Sequence, residues 1–378
     1  MTSADAVVRA AAADLGFEVA AVASVEPLDR DRAALEAWLA AGRHGDMGYL
    51  AEDPARRSRP SALLPEARSV VVVAVEHETS AAPFVAEGRY GRVARYAWGR
   101  DYHVVVGERL GRLADELGRR LGRAVRARSL VDGAPLLERA LAVRSGLGFV
   151  GKNTMVILPG RGSWWLLGEL LLDVELEPTP PVEGLSCGSC RRCLDDCPTA
   201  AFVGPGALDA RRCLSYLSIE HRGPIPRELR TAMGAWVFGC DVCQEVCPFN
   251  RFGKPTRWPE LRAEAGVGPR LDLVATLSID TDEAFRARFR GTPLARPKRR
   301  GLLRNAAVVA RNVGATATVP ALRDRVLFDP EPLVRGHAYW ALAGLDPALA
   351  RALARWTIPM DPDPFVRDEA QAALDGAP

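Results

Sequence analysis

The eight cysteines constrain this chain more than any other feature, because they fall into two groups with the spacing of iron–sulfur ligands. The first group is Cys187-Gly-Ser-Cys190-Arg-Arg-Cys193-Leu-Asp-Asp-Cys197, closed by Pro198. Bacterial ferredoxins use this C-x2-C-x2-C-x3-C-P spacing to bind one [4Fe-4S] cluster with three thiolates and to lend the fourth to a second cluster. The second group supplies the matching half and consists of Cys213, Cys240, Cys243 and Cys247, the last followed by Pro248.

The crossed ligand pattern of ferredoxins assigns every cysteine to one of two [4Fe-4S] clusters. The first cluster is predicted to bind Cys187, Cys190, Cys193 and Cys247. The second cluster is predicted to bind Cys197, Cys213, Cys240 and Cys243. These two sets use all eight cysteines of the chain.

Structural zinc and disulfide bonds are the alternatives for clustered cysteines. Zinc sites favour C-x2-C pairs separated by a longer loop, whereas here three cysteines follow one another at two-residue gaps. Disulfide-rich domains are secreted and carry cysteines throughout, whereas residues 1–186 and 248–378 contain none. Iron–sulfur clusters are therefore the favoured interpretation.

The composition is that of an ordinary globular protein. With 378 residues, 48% hydrophobic and 26% charged, the chain is long enough for two or three domains. The net charge is only +3, so a nucleic acid would have to meet a local basic patch. The N-terminus lacks the pattern of a signal peptide, and the apolar stretch 164–174 is interrupted by Glu169. We therefore expect a cytoplasmic, reducing location and no membrane contact.

The patterns along the chain divide it into three predicted domains. Residues 1–177 alternate helical and strand patterns and predict an α/β (α+β) domain, with strands over 17–25, 69–75, 126–131 and 164–174. Prolines at 178, 180 and 181 form a linker into a ferredoxin-like domain over 178–255. The chain is expected to be irregular from Pro248 to about residue 290, and residues 256–378 are assigned to a helical domain.

Asp132 is the carboxylate that the sequence places best for chemistry. It follows the predicted strand 126–131 and precedes Gly133, and Pro135 then begins a helix in the first-turn position that proline favours. A carboxylate at a strand end can serve a reaction or can cap the helix that follows. From its position alone, the capping interpretation is slightly favoured.

Two motifs in this region resemble cofactor signatures without satisfying them. Gly146-Leu-Gly-Phe-Val-Gly151 matches G-x-G-x-x-G, but a dinucleotide site needs a strand before the glycines and a helix after them. Here a helix precedes and a strand follows, so we reject that site and expect a tight turn beside a ligand. Asp101-Tyr-His103 begins like D-x-H-x-x-G, a cobalt-ligand signature, but Gly107 falls one residue late.

The C-terminal region repeats itself. Residues 329–342 align with 361–374 at an offset of 32, with aspartate and proline before each helix, which is typical of stacked HEAT-type helix pairs. Just before the repeats, a run of cations occurs without an intervening carboxylate: Arg296, Lys298, Arg299, Arg300, Arg304 and Arg311. This density favours RNA contact. A solvated helix face is the alternative.

Taken together, the motifs resemble one known family over nearly the whole chain, the epoxyqueuosine reductases. The resemblance is carried by Arg95-Tyr-Ala-Trp-Gly-Arg-Asp-Tyr-His103, Val131-Asp-Gly-Ala-Pro-Leu-Leu-Glu-Arg139, Gly146-Leu-Gly-Phe-Val-Gly-Lys-Asn-Thr154, Gly162-Ser-Trp-Trp-Leu-Leu-Gly-Glu169, Ser215-Tyr-Leu-Ser-Ile-Glu220, Gly239-Cys-Asp-Val-Cys-Gln244 and the run Arg299 to Asn305. It implies reduction of epoxyqueuosine to queuosine at the wobble position of tRNA, the last step of queuosine synthesis.

The resemblance also implies cofactors and residue roles. The front domain would bind base-off cobalamin, with a fold related to reductive dehalogenases, and a low-potential donor such as a ferredoxin or flavodoxin would supply electrons through the two clusters. Asp132 would be the proton donor. The cobalamin and substrate pocket would be lined by Arg57, Tyr96, Tyr102, His103, Asp132, Arg139, Asn153, Thr154 and Ser218. The phosphates of tRNA would be bound by Lys298, Arg299, Arg300 and Arg304.

Two other functions share parts of this pattern. A reductive dehalogenase also uses cobalamin and two clusters, but it normally carries an export signal and has no use for a basic helical repeat. A non-catalytic electron-transfer scaffold would keep the cysteines and would not need Asp132.

Overall fold

The computed structural model describes residues 4–77 and 88–376, which form two compact units. The first unit comprises residues 4–77, 99–210 and 241–266, and the second comprises 88–98, 211–240 and 267–376. Among the described residues, no helix combines the length and apolar character needed to cross a membrane.

The strands are short except for two in the first unit. In chain order they are β1 (Val19–Ser24), β2 (Ser69–Glu76), β3 (Tyr90–Val93), β4 (Ala127–Leu130), β5 (Phe149–Val150), β6 (Val156–Ile157), β7 (Trp165–Leu172), β8 (Phe202–Gly204), β9 (Ala207–Leu208), β10 (Trp236–Phe238) and β11 (Arg270–Asp272).

The longer helices lie mostly in the C-terminal part. In chain order the helices are α1 (Ala4–Asp14), α2 (Asp29–Ala40), α3 (Pro54–Arg57), α4 (Tyr102–Leu121), α5 (Glu138–Arg144), α6 (Arg192–Asp195), α7 (Leu214–Ile219), α8 (Arg227–Arg230), α9 (Val242–Glu245), α10 (Leu273–Leu277), α11 (Asp282–Phe289), α12 (Lys298–Asn312), α13 (Val319–Phe328), α14 (Pro332–Leu345), α15 (Pro347–Met360) and α16 (Pro364–Asp375).

A four-stranded antiparallel sheet organises the first unit, in the order β1-β2-β7-β4. The valine-rich β2 is buried along its whole length because neighbours cover both edges and helices cover both faces. Helix α4 packs on one face, where Gly168 lies against Val106 and Leu110. Helix α5 and an apolar cluster that includes Leu167 and Leu171 cover the other face. The predicted strands and their α/β packing are present.

Helix α4 shows why this part of the chain could be predicted. Its Leu110, Leu113 and Leu117 are fully buried at helical spacing, and the Asp101 side chain accepts a hydrogen bond from the His103 backbone N–H at the helix start. Gly122 ends the helix in a left-handed conformation with φ of 66°.

The glycine-rich segment 146–151 follows a helix and precedes a strand, β6, as predicted. The segment itself contains β5, which pairs with β6 in a hairpin. A Cβ atom at Gly146 would lie 2.2 Å from the Pro180 carbonyl oxygen, and one at Gly148 would lie 2.1 Å from the Ile157 carbonyl oxygen. These glycines therefore permit close backbone packing within the unit. The expectation that they form a turn beside a ligand stays a prediction.

The second unit combines a three-stranded sheet, β10-β3-β11, with packed helices around the buried α12. The predicted repeat is visible as α14 and α16, each with proline in its first turn. Arg335 donates to the carbonyl oxygens of Asp329 and Pro330, and Arg367 donates in the same way to those of Asp361 and Pro362. Assignment to the HEAT class stays a prediction.

Residues 273–289 were predicted to be irregular, but most of them are helical. They form α10 and α11, whose starts are capped by side chains. Asp272 accepts from the Ala275 N–H at 2.9 Å, and Thr281 accepts from the Ala284 N–H at 3.1 Å. Both helices are too short for a periodic apolar pattern to reveal them, whereas their caps were readable signals.

Candidate active site

The cysteines predicted to bind the first cluster come together in the first unit. One pocket is lined by Cys187, Cys190, Cys193 and Cys247, together with Asn153, Ile157, Arg192, Pro248 and Phe249. Burial raises the pKa of Cys193, and the neighbouring thiols of Cys187, Cys247 and Cys190 raise it further. Four converging thiols in a small apolar pocket are the donor set that a [4Fe-4S] cluster requires.

The turn at 151–155 holds the first cysteine loop in place. The Lys152 backbone N–H donates to the Cys187 sulfur at 3.4 Å, and the Lys152 ammonium donates to the carbonyl oxygens of Gly188 at 2.7 Å and Cys190 at 2.9 Å. Hydrogen bonds to ligand sulfurs and nearby positive charge are the means by which proteins tune cluster potentials. Sequence reasoning missed Lys152 in this role.

Asn153, which the family resemblance assigns to the cobalamin pocket, lies in the same turn. It is buried, its amide donates to the Cys243 carbonyl oxygen at 3.3 Å, and its side-chain oxygen accepts from the Met155 N–H at 3.2 Å. Asn153 also lines the cysteine pocket. It therefore supports the cluster loops, and its contact with cobalamin stays a prediction.

The second predicted ligand set, Cys197, Cys213, Cys240 and Cys243, stays a prediction. Of its members, Cys197 accepts from the Ala201 backbone N–H at 3.3 Å and lies 3.7 Å from the Thr199 hydroxyl. Cys243 is the second residue of α9. Cys213 precedes α7 and Cys240 follows β10 in the second unit.

Asp132 lies at the end of β4, in a turn that leaves its carboxylate accessible. Its φ of 49° is in the left-handed region, which aspartate tolerates better than most residues. Its side chain is 59% exposed. The Tyr102 hydroxyl donates to Oδ2 of Asp132 at 2.5 Å, and Nε2 of His103 lies 3.2 Å from the same oxygen. The structure thus brings together three residues that the family resemblance assigns to the site.

His103 connects Asp132 to a second carboxylate. Its Nδ1 lies 2.7 Å from Oδ1 of Asp101. Burial alone would lower the pKa of His103, but the hydrogen bonds to Asp101 and Asp132 outweigh it and raise the pKa to about 9. Near neutral pH the imidazole is therefore protonated and lies between two carboxylates. Both ring nitrogens of His103 thus have carboxylate partners.

Two acidic residues behind Asp132 were not predicted. Glu138, the first residue of α5, accepts a hydrogen bond from the Asp132 backbone N–H. Glu169, in the middle of β7, is completely buried. The available signal was the single carboxylate in the otherwise apolar strand Trp165–Leu172, which we used only to exclude a membrane span.

Arg139, Thr154 and Arg57 surround this region within the first unit. Arg139 is exposed and donates to the Thr154 carbonyl oxygen at 2.6 Å. Thr154 has a φ of 68°, a conformation that a β-branched residue rarely adopts and that is common at functional sites. Arg57 donates to the Tyr49 carbonyl oxygen at 2.8 Å, and its own carbonyl accepts from the Leu137 N–H.

The remaining predicted pocket residues, Tyr96 and Ser218, belong to the second unit. The Tyr96 ring lies 6.2 Å from that of Phe238. Ser218 is fully buried, donates to the Leu214 carbonyl oxygen at 2.8 Å and accepts from the Gly239 N–H at 2.9 Å. Ser218 therefore fixes the turn before Cys240, and its contact with cobalamin stays a prediction.

The basic run at the start of α12 divides into buried and exposed cations. Arg304 is fully buried and donates to the carbonyl oxygens of Leu217 at 2.5 Å and of His221 and Gly223 at 2.8 Å. Arg299 is buried and forms an ion pair with Asp329. A buried guanidinium with internal partners cannot reach a phosphate, so the prediction is wrong for these two residues.

Lys298 and Arg300 remain available for a polyanion. Lys298 is exposed and has a φ of 60°, and Arg300 is partly exposed with Glu331 at 3.9 Å. Their role in phosphate binding stays a prediction.

Comparison with known proteins identifies two family models in the chain. Residues 57–133 match the model described as Epoxyqueuosine reductase QueG, DUF1730. Residues 186–250 match the 4Fe-4S double cluster binding domain, which agrees with the cysteine pocket.

Full-length relatives agree with these models. The chain is 44% identical over 337 residues to an epoxyqueuosine reductase of Pseudomonas aeruginosa, covering 87% of this chain and 91% of the relative. Its structure is similar to that of an epoxyqueuosine reductase with an epoxyqueuosine-modified tRNA-Tyr stem loop, with 31% identity, a TM-score of 0.89 and coverage of 98% and 97%.

A Bacillus subtilis epoxyqueuosine reductase, with its catalytic aspartate loop swung out of the active site, matches with 31% identity, a TM-score of 0.88 and coverage of 98% of both chains. Proteins that share only a fold need not have similar sequences, whereas this chain is 44% identical to the Pseudomonas aeruginosa enzyme over 91% of that relative. The chain therefore belongs to the epoxyqueuosine reductase family.

Proposed function

We propose that this chain reduces epoxyqueuosine to queuosine at the wobble position of tRNA, the last step of queuosine biosynthesis. The observation that carries the proposal is the full-length membership of the epoxyqueuosine reductase family. The cysteine pocket and the Asp132 turn support it, because the reaction needs both an electron supply and a proton donor.

The chemistry of the reaction defines what the site must provide. Both epoxide carbon–oxygen bonds break, a carbon–carbon double bond forms, and the oxygen leaves as water. Conversion therefore consumes two electrons and two protons. Two [4Fe-4S] clusters transfer electrons singly, and a low-potential ferredoxin or flavodoxin is the donor class that suits them. Asp132 is the group we assign to deliver a proton to the epoxide oxygen.

Cobalamin is the cofactor that the family resemblance implies, and when bound it supplies a low-valent cobalt centre as the final electron carrier. The residues near Asp132 fit a corrin, which has a flat apolar ring with amides on its rim. Val104, which follows His103 in α4, is apolar and exposed. Arg139 offers donors to amides, and Arg57, Tyr102, His103 and Thr154 remain assigned to this surface. The resemblance alone adds Tyr96.

Within the first unit, the chain's own residues prepare the proton transfer. Tyr102 and His103 fix the Asp132 carboxyl through Oδ2. Protonated His103 holds a second proton one hydrogen bond away, which matches the need for two protons on one oxygen. Closure of this exposed site by substrate would exclude water and favour a protonated Asp132.

The tRNA partner follows from the proposed substrate. Lys298 and Arg300 are the cations of the basic run that we assign to phosphates, and the wobble base would be splayed from the anticodon loop to reach Asp132. We assign residues 1–177 to cofactor binding, residues 178–255 to the clusters and residues 256–378 to tRNA binding.

Nucleoside analysis of cellular tRNA tests the proposal. A bacterial strain that lacks its own enzyme accumulates epoxyqueuosine in tRNA, and expression of this chain with cobalamin supplied should convert it to queuosine. The Cys193→Ala variant serves as a control that removes a cluster ligand and should fail. Persistence of epoxyqueuosine beside well-expressed, cluster-loaded protein would overturn the proposal.

A further inference from the structure

The Glu169 carboxyl is an anomaly in the core of the first unit. It lies in the central strand β7, opposite Val72 on one neighbour and Leu130 on the other. Because residues two apart on a strand share a face, it points with Leu167 and Leu171 into the apolar cluster. Both of its oxygens are buried, and neither has a hydrogen-bond partner of ordinary geometry among the described residues. Burial of an unpaired carboxyl is unfavourable by several kcal/mol.

Two neighbouring elements bring carboxyls toward Glu169: Leu130, which pairs with Glu169, lies two residues before Asp132, and Glu138 begins α5. Helix α5 packs on the same face of β7, which places its first residue above the strand. Burial raises the pKa of Glu169 well above its ordinary value, and the charges on Glu138 and Asp132 raise it further. Burial and these charges therefore favour the neutral, protonated form of Glu169.

Glu138 in turn connects this acid to the proposed catalytic turn. Its Oε1 accepts the Asp132 backbone N–H, in the turn where Asp132 takes its left-handed conformation. Burial raises the pKa of Glu138 to about 7, the charge on Asp132 also raises it, and Glu169 and Arg139 act in the opposite direction. The charged groups that act on the pair are thus Asp132 and Arg139.

We propose that Glu169 and Glu138 form a positioning pair for Asp132. The neutral Glu169 carboxyl donates to the Glu138 carboxylate, and the charged Glu138 holds the Asp132 N–H and favours the protonated form of the Asp132 side chain. This inference rests on the proposed function for its effect on turnover. The hydrogen bond that we assign between Glu169 and Glu138, and its effect on the Asp132 turn, do not depend on that function.

A negative charge at Glu138 would offset two interactions that favour the ionised form of Asp132. Protonated His103 and the Tyr102 hydroxyl both stabilise ionised Asp132, which is the wrong form for a proton donor. A fixed negative charge at Glu138 acts against them, because like charges on neighbouring carboxyls favour protonation of one. The buried donor Glu169 keeps that charge in place near neutral pH.

Three variants separate the roles of charge and shape. Glu138→Gln keeps the acceptor for the Asp132 N–H and removes the charge. Glu169→Leu removes the donor, and Glu169→Gln restores one through its amide. Glu116→Gln is the matched control, because it makes the same charge change about 20 Å along α4 from Tyr102.

The first readout is amide exchange, which does not require turnover. In cluster-loaded protein without substrate, hydrogen–deuterium exchange of the peptide over 131–137 should be at least about tenfold faster in Glu169→Leu than in wild type or Glu169→Gln near pH 7. Glu116→Gln should behave as wild type. Equal exchange in Glu169→Leu and wild type would overturn the proposal, whether or not the protein is an epoxyqueuosine reductase.

The second readout is the pH profile of single-turnover reduction. Wild-type activity should rise with pH as Glu138 ionises near pH 7, since the charge must be present. Glu138→Gln should lose this rise and react about tenfold more slowly at pH 8, and Glu169→Leu should move the rise to higher pH. An unchanged profile in both variants would overturn the positioning role. Absence of turnover in wild type would instead refute the proposed function, with the exchange result still standing.

Discussion

Lys298 and Arg299 are adjacent in the sequence but lie in opposite environments. They therefore form a matched pair for testing whether only the exposed cations of the basic run bind tRNA. Lys298 is exposed, whereas the Arg299 guanidinium is buried against Asp329. We expect Lys298→Ala to weaken tRNA binding with little effect on stability. We expect Arg299→Ala to destabilise the second unit without a specific effect on phosphate contacts.

The size of the Arg299 effect follows from its contacts. Its Nη1 lies 3.2 Å from Oδ1 of Asp329, its Nη2 reaches the other carboxylate oxygen, and its Nε donates to the Ile279 carbonyl at 3.0 Å. Truncation leaves the buried Asp329 with Arg325, at 3.1 Å, as its remaining cation. Breaking a buried ion pair by removing one partner costs roughly 3–5 kcal/mol, which corresponds to a fall in Tm of about 10 °C.

Thermal unfolding by circular dichroism and tRNA affinity at several salt concentrations separate the two outcomes. The salt slope of log affinity should become shallower by roughly 0.7–0.9 in Lys298→Ala, the value for one lost phosphate contact. It should be unchanged in Arg299→Ala at a temperature where that variant is folded. A normal Tm combined with a shallower slope in Arg299→Ala would refute the assignment of this arginine to the core.

Further expectations concern the clusters, the buried acid and the proton chain. Cys247→Ser should lose about half of the bound iron and retain the absorbance of one cluster, because only one of the two ligand sets is broken; full iron content by chemical assay would contradict the crossed assignment. Glu169→Leu should raise Tm while it impairs turnover, because an apolar side chain replaces a polar one buried against the apolar cluster; a lower Tm would show that the carboxyl stabilises the sheet. The folded-state pKa of His103 lies above its unfolded value of 6.5, so its stabilising contribution is complete below pH 6.5 and is lost as pH rises to about 9. The decline in Tm across that range should accordingly be smaller in His103→Gln than in wild type, and equal declines would contradict the charge assigned to His103.

The cluster ligands and the strand that delivers Asp132 could be predicted because local spacing determines them. Cysteine gaps of two and three residues fit a cluster in any fold, and a strand followed by Asp132 and Gly133 places the carboxylate at a sheet end. These inferences needed no knowledge of distant contacts. The apolar period of α4 was readable for the same reason.

Burial of polar residues was the part that the sequence did not reveal. Arg299 and Arg304 belong to a charged run, and that charge suggested an exposed helix face. Residues 301–310 of α12 are nevertheless buried on every side. The apolar residues on all sides of this helix were the signal for a central position. The role of Glu169 could not be predicted either, because it depends on Glu138. That residue is 31 positions away in the sequence and is brought above β7 by α5. Ser218 and Asn153 likewise have backbone partners that only the fold provides.

Single turnover of epoxyqueuosine-modified tRNA by the anaerobically reconstituted protein, with cobalamin and a low-potential donor, tests the central claim most directly. Quantification of nucleosides by mass spectrometry should show queuosine formed by wild type. Asp132→Asn, which keeps the shape of the side chain, should form queuosine at least about a hundredfold more slowly with both clusters intact. Full turnover by Asp132→Asn, or none by the fully loaded wild type, would contradict the account.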